Sequence, residues 1–448
     1  MKHTTTILLL TAVSAFGQVN RLDILKNPGR PVIAIPDFNG AGGAERFMST
    51  FNATLWSEIA NCGVLRMAPK SMYPLTVPQQ PADLRQPATP SESMGGRALT
   101  DWLNPPATAN YLAMGYTSVA ADQIVLSGWL MSTDQPPSQV ALVAKRYVGP
   151  LSEKGAHDVA AQFAADIMAQ FGGKSLMGSK VYFISDRTGS KEVWGMNYDG
   201  TEQTQITKYH SLVRMPSVSP DGTKLAYTAW LDNTPQLYVQ SLTTGRRLVF
   251  YNQRASLNMT ADFLPDGSKV LFASSAGGGS AQIYMANPDG SGIQRVTNTQ
   301  TIEVQPRANP KTGRDIVFTS GRTGHPQIFL MSLDGGNVQE LTPGDGEAVQ
   351  AAWSPDGKMI AFSWTHGFDI GNFNIFVMDV ATKTVVQVTH GAGRNENPSW
   401  APDGFHIVYS AKRGGKTQIW TMLADGTQDR QLTTEGNNDQ PVWARSIN

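Results

Sequence analysis

The sequence predicts a small α/β N-terminal domain followed by an all-β six-bladed β-propeller closed by its C-terminal strand. Three observations predict it. A turn motif recurs with a period near 45 residues. Short apolar strands accompany each copy. The chain end repeats a strand that the first unit lacks.

The motif reads Ser219-Pro220-Asp221-Gly222, Leu264-Pro265-Asp266-Gly267, Ser354-Pro355-Asp356-Gly357 and Ala401-Pro402-Asp403-Gly404, with a degenerate copy at Asn309-Pro310-Lys311-Thr312-Gly313. The prolines at 220, 265, 310, 355 and 402 lie 45, 45, 45 and 47 residues apart. Each turn opens a short apolar strand such as Lys224-Leu225-Ala226-Tyr227. Lys180-Val181-Tyr182-Phe183 matches without the turn, which makes six. A second strand follows, such as Gln327-Ile328-Phe329-Leu330. The next hairpin turn is Asp-Gly at 199–200, 289–290, 334–335 and 425–426. Asp-Gly provides the positive φ that a tight hairpin requires. Most units close on an edge strand ending in Thr, as in Gln431-Leu432-Thr433; Leu248-Val249-Phe250 is the irregular member. Short alternating runs exclude a helical solenoid, and the fixed period argues against a sandwich. The tail Gln440-Pro441-Val442-Trp443 copies Asn397-Pro398-Ser399-Trp400, so it is expected to complete blade one and remove a free edge.

The remaining chain divides by pattern. Residues 1–17 read as a secretory signal peptide: Lys2 and His3, an apolar run from Ile7 to Val13, then small residues before a cut at Gln18. The run is too short to span a bilayer, and no later segment reaches that length. Residues 18–172 read as the α/β domain and 173–448 as the propeller. Pro31 to Ile35 and Val64 to Met67 read as strands. Glu45 to Ala60 reads as a helix with Phe47, Phe51, Leu55 and Ile59 four apart. Residues 69–93 read as a long Pro- and Gln-rich loop. Gln123 to Leu126 and Gln139 to Val143 read as further strands. Ser152 to Phe171 reads as an amphipathic helix with Ser152 as its N-cap.

Composition excludes several functions. Lys plus Arg and Asp plus Glu both total 36, so no basic face for nucleic acid is implied. Cys62 is the single cysteine, which excludes an intrachain disulfide and a cysteine zinc site. There is no Gly-x-Ser-x-Gly elbow and no HExxH spacing. Gly173-Lys174-Ser175 and Gly415-Lys416-Thr417 lack the earlier glycine of a phosphate loop. Asp221, Asp266, Asp356 and Asp403 recur because the turn recurs, and a turn role is expected rather than a metal. His406 alternates with strand residues and is expected to face solvent. No catalytic residue, cofactor or metal is expected, and the chain is read as a monomer.

What remains is a surface. The segments entering each inner strand ring one mouth of the channel and diverge where the strands stay regular. Candidate partner-binding residues there are His210, Ser211, Arg214, Asn258, Met259, Val304, Gln305, Val349, Gln350, Asn395, Glu396, Asn397, Asp439 and Gln440. An enzyme acting on a saccharide at this mouth is the competing class. It would need convergent groups, for which Arg214, Arg394, Glu396 and Asp439 are the candidates.

The order of signal peptide, α/β domain and six blades with Ser-Pro-Asp-Gly turns resembles the TolB family, the periplasmic component of the Tol–Pal system. Pro31-Val32-Ile33-Ala34-Ile35-Pro36-Asp37-Phe38 resembles that family's opening strand. Asp122-Gln123-Ile124-Val125-Leu126-Ser127-Gly128 resembles its central strand, and 152–171 its closing helix. Segment 69–118 is longer and more Pro-rich than the family pattern. The resemblance implies a periplasmic protein without a reaction. The mouth would hold Pal, a peptidoglycan-associated lipoprotein. The mature N-terminus, with Gln18, Val19, Leu22, Asp23, Ile24 and Leu25, would reach the inner-membrane partner TolA. The implied role is outer-membrane integrity and constriction during division.

Overall fold

The computed structural model describes residues 29–89, 92–135, 141–367, 371–391 and 393–444. The signal-peptide reading and the segment from Gln18 to Leu25 lie outside the described residues.

The N-terminal unit is a mixed sheet. Its strands are β1 (Val32–Ala34), β2 (Asn39–Gly40), β3 (Arg66–Met67), β4 (Tyr111–Ala120), β5 (Gln123–Ser132) and β6 (Val143–Pro150), in the order β3-β1-β4-β5-β6. β2 adds to β4, and the β1 pairings are parallel while β4, β5 and β6 run antiparallel. Helices α1 (Met48–Ala60) and α2 (Glu153–Ala169) cover one face. Phe51, Leu55 and Ile59 from α1 meet Val159, Phe163 and Ile167 from α2 there, all fully buried. Each such side chain contributes about 1.5–3 kcal/mol by leaving water. Ser152 caps α2 as expected, its Oγ accepting from Gly155 N at 3.0 Å.

Two strands differ from the expectation. Of the strand expected at Gln139 to Val143, Gln139 and Val140 lie outside the described residues; Leu142 is exposed and the strand runs from Val143 to Pro150. β6 is a sheet edge carrying Lys145 and Arg146, so its apolar alternation is broken. β4 was not foreseen at all. It forms a two-residue hairpin with β5, and Ala121 and Asp122 at its tip have φ of 47° and 56°. Segment 69–109 is not merely a loop. Tyr73, Leu84, Leu99 and Trp102 pack on the second sheet face against Ala34, Leu112 and Met114. Trp102 Nε1 donates to Gly96 O at 3.0 Å. Asp101 accepts from the backbone N–H groups of Met94, Gly96 and Ala98. Gly115 on β4 is required by close approach, since a Cβ there would stand 2.5 Å from the Phe38 ring.

Residues 180–443 form six four-stranded antiparallel sheets in a ring. The C-terminal strand Asn438–Trp443 pairs with Lys180–Ser185, with Asn438 opposite Ser185 and Trp443 opposite Val181, and so completes blade one. Apolar clusters sit between blades. One joins Val181, Phe183 and Met196 of blade one to Val408, Ile419 and Leu432 of blade six, with Trp443 between them.

The recurring residues have defined roles. Asp221 accepts from Thr223 N and from Ser219 Oγ, while Ser219 Oγ accepts from Lys224 N; Ser354 and Asp356 repeat the arrangement. The Ser219 hydroxyl, aided by Thr223, holds the Asp221 carboxyl down at about 2. The terminal Thr of each edge strand accepts, at 2.8–2.9 Å, the N–H of Val193, Ile283, Ile328, Ile375 or Ile419. In the irregular blade two, Asn252 takes that place, bonding both N and O of Leu237.

His406 does not face solvent. It is 8% exposed, and its Nδ1 lies 2.6 Å from Asp403 Oδ2. The reason is general to the ring: a blade is covered by neighbours on both sides, so strand alternation there does not separate inside from outside.

The α/β unit sits on the face of the ring that carries the Pro-Asp-Gly and Asp-Gly turns. Tyr198 Oη donates to Glu58 at 2.7 Å, His157 Nε2 lies 3.2 Å from Asp199 Oδ2, and Arg30 lies 3.7 Å from Asp425. Hydrogen bonding to Asp199, then to Asp158, raises the His157 pKa to about 9 against the cost of burial. Burial pushes the Asp199 carboxyl up, but the hydrogen bonds from His157 and from the Thr201 hydroxyl and N–H together outweigh it and lower the pKa to about 2.

Candidate functional site

The innermost strands are Val213–Val218, Asn258–Phe263, Glu303–Ala308, Ala348–Trp353, Asn395–Trp400 and Asn438–Trp443. They start at the mouth opposite the α/β unit and run toward it. Each carries a register shift near its third residue. The residue there has positive φ: Met215 56°, Thr260 57°, Gln305 56°, Gln350 62°, Asn397 55° and Gln440 51°. Strain of this sort persists only where the surroundings fix it. Here the neighbouring blade does so. Gln440 Oε1 accepts from Met215 N at 2.9 Å, Gln305 Oε1 from Gln350 N at 3.0 Å, Gln350 Oε1 from Asn397 N at 3.0 Å, and Thr260 Oγ1 from Gln305 N at 3.3 Å. These bonds stitch blade to blade around the channel.

Outside this collar, at the free mouth, lies a polar cavity of about 380 Å³. Arg214, Arg394, Glu396, Asn397, Asp439 and Gln440 line it, as do Gln350 and Lys412. Arg394 Nη2 donates to Glu396 Oε1 at 2.8 Å. Asp439 Oδ2 receives Lys191 Nζ at 2.8 Å and Arg214 Nη2 at 3.4 Å. Burial pushes the Glu396 carboxyl up, against the pull of Arg394. Deeper in the ring is a cavity of about 250 Å³ lined by Trp353, Trp400 and Trp443 and by the ion pair Asp262–Arg307 at 3.3 Å. Among the described residues no group of three or more His, Cys, Asp or Glu is placed to hold a metal ion.

The expected mouth residues separate into four groups. Arg214, Glu396, Asn397, Asp439, Gln440 and Gln350 converge on the polar cavity. Gln305 lines the deeper one, and Met259, Val304 and Val349 are half-buried on the inner strands beside the collar. Most of these positions are strand rather than loop, because the innermost strands begin at the mouth itself. Asn258 is fully buried and holds Gln236 and Gln253, and Asn395 donates to Asn374 Oδ1; both tie their own blade to the preceding one. His210 and Ser211 lie on the approach, tied to Glu192 and to Trp230 O. Lys191 and Lys412 were missed, as they sit beyond the outer strands' regular pattern. The only cue for Lys412 is the longer hairpin His406–Arg413 and Lys416–Leu423 of blade six.

These features define a two-domain propeller protein: a closed six-bladed ring with one face occupied by a mixed α/β unit and the other covered by no element among the described residues. A model of the TolB beta propeller domain matches residues 168–447. The chain belongs to the TolB family. Among curated relatives, the TolB homolog of Chlorobium luteolum is 32% identical over 199 residues, 44% of each chain. That of Chlorobium chlorochromatii is 34% identical over 213 residues, 47% of this chain and 46% of the relative. The matched stretch thus spans under half the length of these relatives. The crystal structure of TolB from Acinetobacter baumannii superimposes with a TM-score of 0.72 at 23% identity, over 92% of this chain and 96% of that one, a likeness of fold.

Proposed function

We propose that this chain is the periplasmic protein-binding component of a Tol–Pal system, exported by residues 1–17. In this reading it docks the lipoprotein Pal at the free mouth of the propeller and carries out no reaction of its own. It supports outer-membrane integrity and cell division. The segment Gln18 to Leu25 reaches TolA. Membership of the TolB family carries the reading, and the open mouth with its converging polar side chains supports it. No helix among the described residues is long and apolar enough to cross a membrane.

Pull-down of purified mature chain with envelope extract tests it. Pal is expected in the bound fraction, and its absence there sinks the reading. Removing residues 18–25 is expected to abolish TolA capture while leaving the thermal melt of the propeller unchanged.

A second reading has one observation in its favour. Arg214, Arg394, Glu396 and Asp439 all line one cavity, as a saccharide lyase or hydrolase would require. Depolymerisation of an envelope glycan by the purified chain would establish it.

A further inference from the structure

Three collar glutamines keep unbonded amide donors: Gln350 and Gln440 line the polar cavity at the free mouth, and Gln305 lines the deeper one. Gln305, Gln350 and Gln440 each commit their Oε1 to a backbone N–H of the next blade, and an N–H can only donate. That fixes which end of each amide is oxygen. Gln350 Oε1 also receives Ser363 Oγ at 2.8 Å, and Gln305 Oε1 receives Thr319 Oγ1 at 2.9 Å. The three Nε2 groups bond to none of the described residues. Three cations, Arg214, Arg394 and Lys412, line the polar cavity against two carboxylates, Glu396 and Asp439. Both carboxylates are already engaged by arginine or lysine, whereas Lys412 is exposed and pairs with no acid among the described residues.

We infer that the free mouth is built for an acidic, extended peptide segment of a protein partner. Its carboxylates would meet Lys412 and the amide donors of Gln350 and Gln440. A basic segment would set its charge against Arg214, Arg394 and Lys412. The inference rests on the reading of this mouth as a protein-docking surface and adds the chemistry of the segment docked.

Fluorescence anisotropy of the full mature chain tests it, with labelled peptides alternating glycine with glutamate, glutamine or lysine. The glutamate peptide is expected to bind about tenfold tighter than the glutamine one, with lysine weakest. The double variant Gln350→Glu, Gln440→Glu keeps every Oε acceptor of the collar and replaces the two amide donors that line the polar cavity by acceptors. It is expected to erase the preference at an unchanged melting temperature. Should that variant unfold, Lys412→Glu, at an exposed position, is expected to reduce the preference in the same direction. Equal binding of glutamate and glutamine peptides, tighter binding of lysine, or a preference untouched by the variants that fold would overturn the inference. If Pal binds at the mouth but the glutamate peptide does not, the acidic-segment inference falls and the docking reading stands. If the glutamate peptide binds with this preference and Pal does not, the inference stands and the partner is another protein.

Discussion

The two faces of the ring are made from the same six-fold repeat and have been put to different ends. On the turn face, polar side chains are consumed in the contact with the α/β unit. Glu58 meets Tyr198, His157 meets Asp199, and Arg30 meets Asp425. On the mouth face, the repeat positions spend their oxygens on the neighbouring blade and leave donors over. A repeat thus builds an interface at one end of its strands and an open site at the other. What separates them is whether each group finds its partner inside the chain.

Cutting the ring is the harshest way to break this comparison, because both faces depend on closure. Ending the chain at Asp439 removes Trp443, which is 2% exposed and whose Nε1 donates to Ser179 Oγ at 3.0 Å. It also strips blade one of most of its inner strand. A loss above about 5 kcal/mol is expected, read as the absence of a cooperative urea transition. A native-like transition would mean that the ring closes by other contacts.

The turn face alone is probed by Tyr198→Phe. It leaves the Glu58 carboxylate, whose pKa burial already pushes up, without its hydroxyl donor. A destabilisation of about 1–3 kcal/mol is expected in urea melts, with peptide binding at the mouth unchanged.

Alkaline pH acts on the same face more gently. His157 has a folded pKa raised from 6.5 to about 9, so it binds its proton more tightly when folded. Its contribution is full below about 6.5, erodes as pH rises toward 9 and is gone above it. Wild type is expected to lose on the order of 1–2 kcal/mol relative to His157→Ala across that window. Parallel stability curves for the two proteins between pH 6 and pH 10 would rule the contact out as a stabilising one.

The mildest change sharpens the contrast from the other side. Lys412→Ala removes an exposed charge at the mouth and is expected to shift stability by less than about 0.5 kcal/mol, while weakening the acidic peptide. A large stability loss would place Lys412 in the fold rather than the site.

Much of this architecture is legible from the repeat. The prolines 45 residues apart, the Asp-Gly hairpins and the copied tail predict six sheets and their closure, because turn chemistry and apolar runs act locally. The α/β unit is less legible. Tyr111–Ala120 was hidden beside a Pro-rich stretch, and the strand at Val143–Pro150 was displaced by its charged edge residues. His406 was misjudged because its burial comes from Asp403 and the packed ring rather than from its own strand. At the mouth, Gln305, Gln350, Asn397 and Gln440 could be singled out by their shared phase in the repeat. Asn258 and Asn395 share the neighbourhood but are buried, their amides bonding back to Gln236 and Asn374 of the preceding blade.

The sequence by itself determined the repeat, its turns, the helix cap at Ser152 and the strand that closes the ring. Each depends on residues a few positions apart or on self-similarity. Only the tertiary structure decided which amides expose donors and which are spent, since that rests on a backbone N–H about 45 residues away in the next blade. It also decided which face of the ring the α/β unit occupies. Contacts such as Glu58–Tyr198, 140 residues apart, follow from the packing of two finished units and leave no periodic trace in the chain.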